Sequence, residues 1–246
     1  MIFFDCNCMY GRMLSPPLRH AVTTDDLLAE MDFCGVEESL VLSSASLQDA
    51  QVTGNELVRR DTANRSRLHP TWALLPTQTR ELGSGEEFLA RMSTAGVRAL
   101  HAFPEPHNYL LGRIGCGDLL TLLQAHRVPV IVHRYDWTKL TDLLTAFPGL
   151  VLVQTAVGSW GFDRLVRPLL EAFPNFYFEI SNYQEAGGLE DHCRRYGPER
   201  LLFGTNYPYF NMAGPRFTLL HADLSEADQQ AIAAGNLRRL LEEVRL

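Results

Sequence analysis

The chain has no run rich in lysine or arginine, so the basic footprint of a nucleic-acid binder is missing. Its formal charge of -7 speaks against nucleic acid as a partner but leaves small anionic molecules open, because a local Arg or His is enough to hold one. No apolar run approaches the ~18 residues of a membrane span. The start, Met1-Ile2-Phe3-Phe4-Asp5, lacks the basic flank of a signal peptide. Cysteines are few and odd in number: Cys6, Cys8, Cys34, Cys116 and Cys193 show no paired zinc spacing. Reduced thiols in a cytoplasmic protein are therefore expected. No linker, low-complexity stretch or charge block divides the chain, so one domain over 1–246 is expected. A glycine-rich phosphate turn after the first strand is also missing, which speaks against a doubly wound nucleotide-binding sheet.

What is present is an alternation of short apolar runs and helical patterns. With 46% apolar and 21% charged residues, the composition is that of an ordinary globular protein. Eight runs read as strands: 1–5, 39–43, 68–74, 97–103, 128–133, 150–154, 176–180 and 201–203. They are continuously apolar, as parallel strands covered by helices must be. Between them lie helix signals. Ser84-Gly85-Glu86-Glu87 is a capping box, Gly35 and Gly96 stand where helices end, and Ser225 can cap a last helix over 226–243. The strand-poor stretch 206–223 reads as the loop after the eighth strand. Repeated helix–turn–strand units of this kind build a single (β/α)8 TIM barrel, whose sites lie at the C-terminal ends of the strands.

Several segments, in order, resemble the amidohydrolase-related family, in the branch that includes aminocarboxymuconate-semialdehyde decarboxylase. Asp5-Cys6-Asn7-Cys8-Met9-Tyr10-Gly11 resembles the family's opening strand, usually Asp-x-His-x-His followed by Gly. Val128-Pro129-Val130-Ile131-Val132-His133 resembles strand five, Leu150-Val151-Leu152-Val153-Gln154 strand six, and Leu201-Leu202-Phe203-Gly204-Thr205-Asn206-Tyr207-Pro208 strand eight. Gly235-Asn236-Leu237-Arg238-Arg239-Leu240-Leu241 resembles the closing helix. The resemblance implies a TIM barrel, a hydrolase or related lyase or isomerase activity, a homodimer, and a metal held by five side chains. Carried onto this chain, those five positions are Asn7, Met9, His133, Gln154 and Asn206. Only His133 keeps the usual residue type. Zinc prefers imidazole, thiolate and carboxylate, whereas the rest of this set is three amides and a thioether with no negative charge. At the strand-eight position Asn replaces an Asp that would take up a proton, and a neutral amide cannot. No resident metal is expected, except zinc if other residues rebuild the site.

Further candidates follow from position. His133, ending the fifth run, is the expected acid-base or hydrogen-bonding group, with Glu179 or Asp136 as its carboxylate partner. Glu179 stands in an otherwise apolar strand, where it needs a partner such as Arg or a backbone donor. His101 on the fourth run is placed to line the same mouth, and Arg134 to clamp a substrate carboxylate. Trp160, Tyr207, Tyr209 and Phe210 fall in the loops after strands six and eight, where aromatics wall ligand pockets. On a regular first strand Asp5, Asn7 and Met9 face the interior and Cys6 and Cys8 the helices; a bulge would turn Cys8 inward. Three functions fit: a metal-independent enzyme of lactonase or isomerase type working through His133, a non-catalytic small-molecule binder or inactive paralogue partner, and a hydrolase with a metal rebuilt through His101, Cys8 and His133.

Overall fold

The computed structural model describes residues 1–48, 50–158 and 161–246. The chain folds as a (β/α)8 barrel. It runs β1 (Phe4–Tyr10), α1 (Thr24–Cys34), β2 (Glu38–Ser43), α2 (Ser44–Gln48), α3 (Gln51–Thr62), β3 (Leu68–Pro70), β4 (Trp72–Ala73), α4 (Gly85–Ala95), β5 (Leu100–Ala102), α5 (Arg113–Ala125), β6 (Val130–His133), α6 (Trp137–Ala146), β7 (Leu152–Thr155), α7 (Asp163–Ala172), β8 (Phe176–Glu179), α8 (Gly188–Tyr196), β9 (Leu201–Leu202), α9 (Ala213–His221), α10 (Glu226–Gln230), a π-helical turn (Ala231–Gly235) and α11 (Asn236–Glu242). Every strand pairing is parallel.

Three of the sequence expectations need correction. The first strand occupies Phe4–Tyr10, not 1–5, because it must reach the barrel mouth, and Met1 and Ile2 stay exposed. The third stave breaks at Thr71 into β3 and β4; the Thr71 N–H donates to Val41 O at 2.9 Å and carries the wall across the gap. The segment after the eighth strand is no simple loop, since it contains α9. The barrel closes where Cys6 N–H donates to Phe203 O at 3.0 Å and Met9 N–H to Tyr207 O at 2.9 Å.

The helix signals hold. Thr23 and Ser84 both close capping boxes, and Gly35 and Gly96 end their helices at φ 70°, a conformation glycine adopts without steric cost. Ser225 accepts from Asp228 N–H to start α10. Apolar residues then sort by strand parity. Val130, Val132, Leu152, Phe176 and Phe178 pack outward on the helices, whereas Ile131, Val153, Tyr177 and Leu202 fill the cylinder. Alternation of this kind fixes which side chains reach the mouth.

Candidate functional site

The first strand does not keep one parity. Its register with β2 shifts between Asp5 and Cys8. Phe4 and Cys6 therefore join the interior cluster, but Cys8 and Tyr10 pack in the outer one and Met9 points inward. A bulge does this by adding a residue to one strand. Cys6, expected among the helices, is thus interior, and Cys8 stays on the helix side. Asp5 anchors the distortion: its buried carboxylate accepts Asn7 N–H and Thr205 N–H, each at 2.9 Å, and the Thr205 hydroxyl. Burial pushes its pKa up to about 6 against the pull of those donors.

At the C-terminal ends of the strands lies a cavity of about 280 Å³. Asn7, Met9, His101, His133, Asn206 and Tyr207 all line it, with Cys8, Leu42, Leu47, Ala102, Phe103, Pro104, Glu105, Pro106 and Tyr209 completing the wall. Asn7 Nδ2 donates to Asn206 Oδ1 at 3.2 Å, so two amides from opposite ends of the chain meet in this wall. Asn206 holds φ 52°, a left-handed conformation that Asn tolerates better than most residues. Met9, Leu42, Ala73 and Phe103 form a small apolar cluster here.

Two imidazoles face the space from neighbouring strands. His101 is buried and stacks on Phe103 at 5.6 Å between ring centroids, and its Nε2 has no hydrogen-bond partner among the described residues. Burial, with a smaller contribution from His133, drops its pKa to about 3. His133 opens to solvent at the mouth while protein encloses the rest of its ring, and its Nδ1 pairs with Thr155 Oγ1 at 3.1 Å. Burial, then the Arg134 charge, lowers it to about 4. Both rings are therefore neutral near pH 7.

Other expected residues are not brought together here. Gln154 follows the parity of Leu152 to the outer side, where its Nε2 donates to Tyr135 O at 3.1 Å; Thr155 is the β7 residue that faces His133. Glu179 lies in the barrel interior and does not line the cavity. Its Oε1 accepts Ala156 N–H and the Ser181 hydroxyl, both at 2.6 Å, and its Oε2 accepts Ser181 N–H at 2.5 Å. Burial first, with Asp5 adding to it, raises its pKa to about 7. The partner expected for Glu179 is thus a set of local donors, not an arginine. Asp136 caps α6 by accepting Lys139 N–H at 3.0 Å. Arg134 sits exposed at φ 45°, and its side chain makes no hydrogen bond among the described residues. Trp160 lies outside the described residues. Thr155, Leu47 and the 103–106 wall escaped the sequence reading; strand parity from Val151 and Val153 would have pointed to Thr155. Among the described residues no group of three or more His, Cys, Asp or Glu side chains is placed to hold a metal ion.

Comparison with known proteins supports the fold. No curated protein matches the sequence. An uncharacterised TIM-barrel protein from Bordetella bronchiseptica is similar over 99% of both chains, at 18% identity and a TM-score of 0.73. A 5-carboxyvanillate decarboxylase from Sphingomonas paucimobilis is 15% identical over 99% of both chains, with a TM-score of 0.75. A dihydroxybenzoic acid decarboxylase from a Polaromonas species, solved with manganese and the inhibitor 2-nitroresorcinol, is 16% identical. That match covers 100% of this chain and 98% of the neighbour, with a TM-score of 0.77. The sequence profile described as Amidohydrolase matches residues 17–242. With barrel, order of elements and profile in agreement, this chain belongs to the amidohydrolase family.

Proposed function

We propose that this barrel binds a small, flat, uncharged molecule at its mouth and does so without a divalent cation. The observation that carries the reading is His101 Nε2, a buried nitrogen with no partner among the described residues on a ring that lines the cavity. A buried polar atom left unpaired costs roughly 1–3 kcal/mol, a deficit that a ligand hydroxyl, able to donate or accept, would remove. Around it the wall is chiefly apolar and aromatic, with the Asn7–Asn206 amide pair, the His133 imidazole and, at the rim, the Glu105 carboxylate as its other polar features, which suits a ring with a polar edge.

The donor chemistry does not fit a resident zinc or manganese. Asn7, Met9, Asn206 and the two imidazoles of His101 and His133 bring no anionic charge, and the β7 position offers the Thr155 hydroxyl, since Gln154 faces outward. Two carboxylates buried in the barrel, Asp5 and Glu179, are each taken up by three donors.

Binding is favoured over turnover. An imidazole whose pKa has fallen to about 4 is a weak proton acceptor, and the two carboxylates expected to drive it are engaged elsewhere. Phenol is the simplest probe. Calorimetry should show it binding to wild type and binding at least tenfold more weakly to His101→Phe. Elemental analysis of protein purified without chelator should find less than a tenth of an equivalent of any transition metal by the order-of-magnitude reading of the ligand set. A stoichiometric ion bound at these side chains, or phenol binding untouched by the loss of His101, would refute the proposal.

A further inference from the structure

Beside the cavity runs a second, larger depression of about 840 Å³, between the loop 104–112 and α6. The two spaces share Pro104 and Glu105 as a common rim. We infer that the molecule held in the cavity carries an uncharged aliphatic tail, which crosses this rim and lies in the groove. The inference rests on the proposed function and extends it to the class of ligand.

The groove is lined by Tyr109, Leu110, Leu111, Ile114, Tyr135 and Leu143. Leu110 is 68% exposed and Ile114 86% exposed, so two large aliphatic side chains flank it without cover. The charges are balanced. Glu105 and Asp142 stand against Arg113 and Lys139, which leaves no net field to select a charged occupant. Glu105 on this rim is held in an ion pair with Lys139 of the groove, at 2.9 Å, with both side chains more than half exposed. Such a pair contributes little and parts easily.

The groove is also built in advance. Tyr109 Oη accepts the Phe103 N–H at 3.2 Å, and His107 Nε2 donates to Leu47 O at 3.0 Å. Gly115 lets the chain fold tightly onto itself, because a Cβ there would stand 2.1 Å from Leu110 O. A tail therefore meets a formed surface and loses little affinity to ordering the protein.

The test is a calorimetric series of phenol, para-ethylphenol, para-butylphenol and para-hexylphenol. In wild type each added methylene should tighten binding about threefold to fourfold. In the double variant Leu110→Ser with Ile114→Ser, phenol should bind as in wild type and the gain per methylene should disappear. Both side chains are exposed, so the variant should fold. A second readout uses Lys139, the only lysine in the sequence. Para-hexylphenol should slow its acylation by an acetyl ester, as read by peptide mass mapping, and phenol should not. A flat series in wild type, or an unchanged slope in the variant, overturns the inference while leaving phenol binding and the proposed function intact. Failure of phenol itself to bind removes both. Dimerisation in sedimentation that the double variant abolishes would give the groove to a second copy of the chain and likewise overturn it.

Discussion

Glu179→Gln separates two opposing effects on one buried carboxyl. The wild-type group accepts on both oxygens: Ala156 N–H and the Ser181 hydroxyl on Oε1, Ser181 N–H on Oε2. When Glu179 is protonated, Oε1–H can turn to donate to the Ser181 hydroxyl while Oε2 still accepts Ser181 N–H, so the acid form keeps its partners. Glutamine cannot. Its NH2 in the Oε1 place faces Ala156 N–H, donor against donor, in a dry interior. That should cost roughly 1–3 kcal/mol, or about 2–12 °C of melting temperature for a chain of this size. The pH dependence supplies the sign. Burial raises the wild-type pKa from its ordinary 4.5 to about 7. A raised acid contributes stability that is complete below about 4.5 and is lost as pH climbs through about 7, here on the order of 3 kcal/mol. Glutamine carries no titrating proton. The deficit of the variant should therefore be greatest at and below pH ~4.5 and should shrink or reverse by pH ~8. His101, His133 and His192, with their lowered pKa values, titrate in both proteins and cancel in the comparison. Thermal unfolding by circular dichroism across this range reads the effect. A deficit that grows with pH would refute the reasoning, because it would mean that the three donors outweigh burial and hold Glu179 ionised.

On the proposed metal-free reading, Asn7→His, Met9→His, Thr155→His and Asn206→Asp together should bind zinc far more tightly than wild type does, measured by titration against a chromogenic chelator. Replacing Thr155→His by Gln154→His in that set should give clearly weaker binding, since Gln154 faces outward. Equal affinities would mean the β7 register is misread. Gly204→Ala should lower stability by about 1–3 kcal/mol, because its Cβ would stand 2.8 Å from Glu179 Oε2 and 3.1 Å from Cys6 Sγ, both buried. An unchanged denaturant midpoint would count against that packing. Phenol affinity should be level from about pH 6 to pH 8 and fall only below about pH 4, as His133 and then His101 take up protons. A transition centred near pH ~6.5, the ordinary histidine value, would count against the lowered pKa of at least one of the two rings.

The eight staves were legible because each is covered on both faces and so reads as an unbroken apolar run; the helix ends were legible because Ser84, Gly35 and Gly96 act through local hydrogen bonds and φ angles. What failed was register. The first strand contains a bulge whose cause is tertiary: Asp5 reaches Thr205, two hundred residues away in sequence. No periodicity within residues 4–10 could disclose that Cys6 turns inward and Cys8 outward. Gln154 failed for the opposite reason. Its local pattern was informative, with Val151 and Val153 on one side and Leu150 and Leu152 on the other, but spacing borrowed from the family outweighed it. Family spacing fixes which segment reaches the mouth, whereas parity fixes which side chain of that segment does, because one step along a strand reverses the face. The far wall, from Leu47 to the 103–106 loop, has neither signal. It exists because α2 and the β5 loop happen to meet, through His107 Nε2 and Leu47 O. Ligand selectivity should therefore vary most freely in that wall. There, changes need not respect strand register, whereas at Asn7, His133 and Asn206 any new side chain inherits a direction that the barrel has already set.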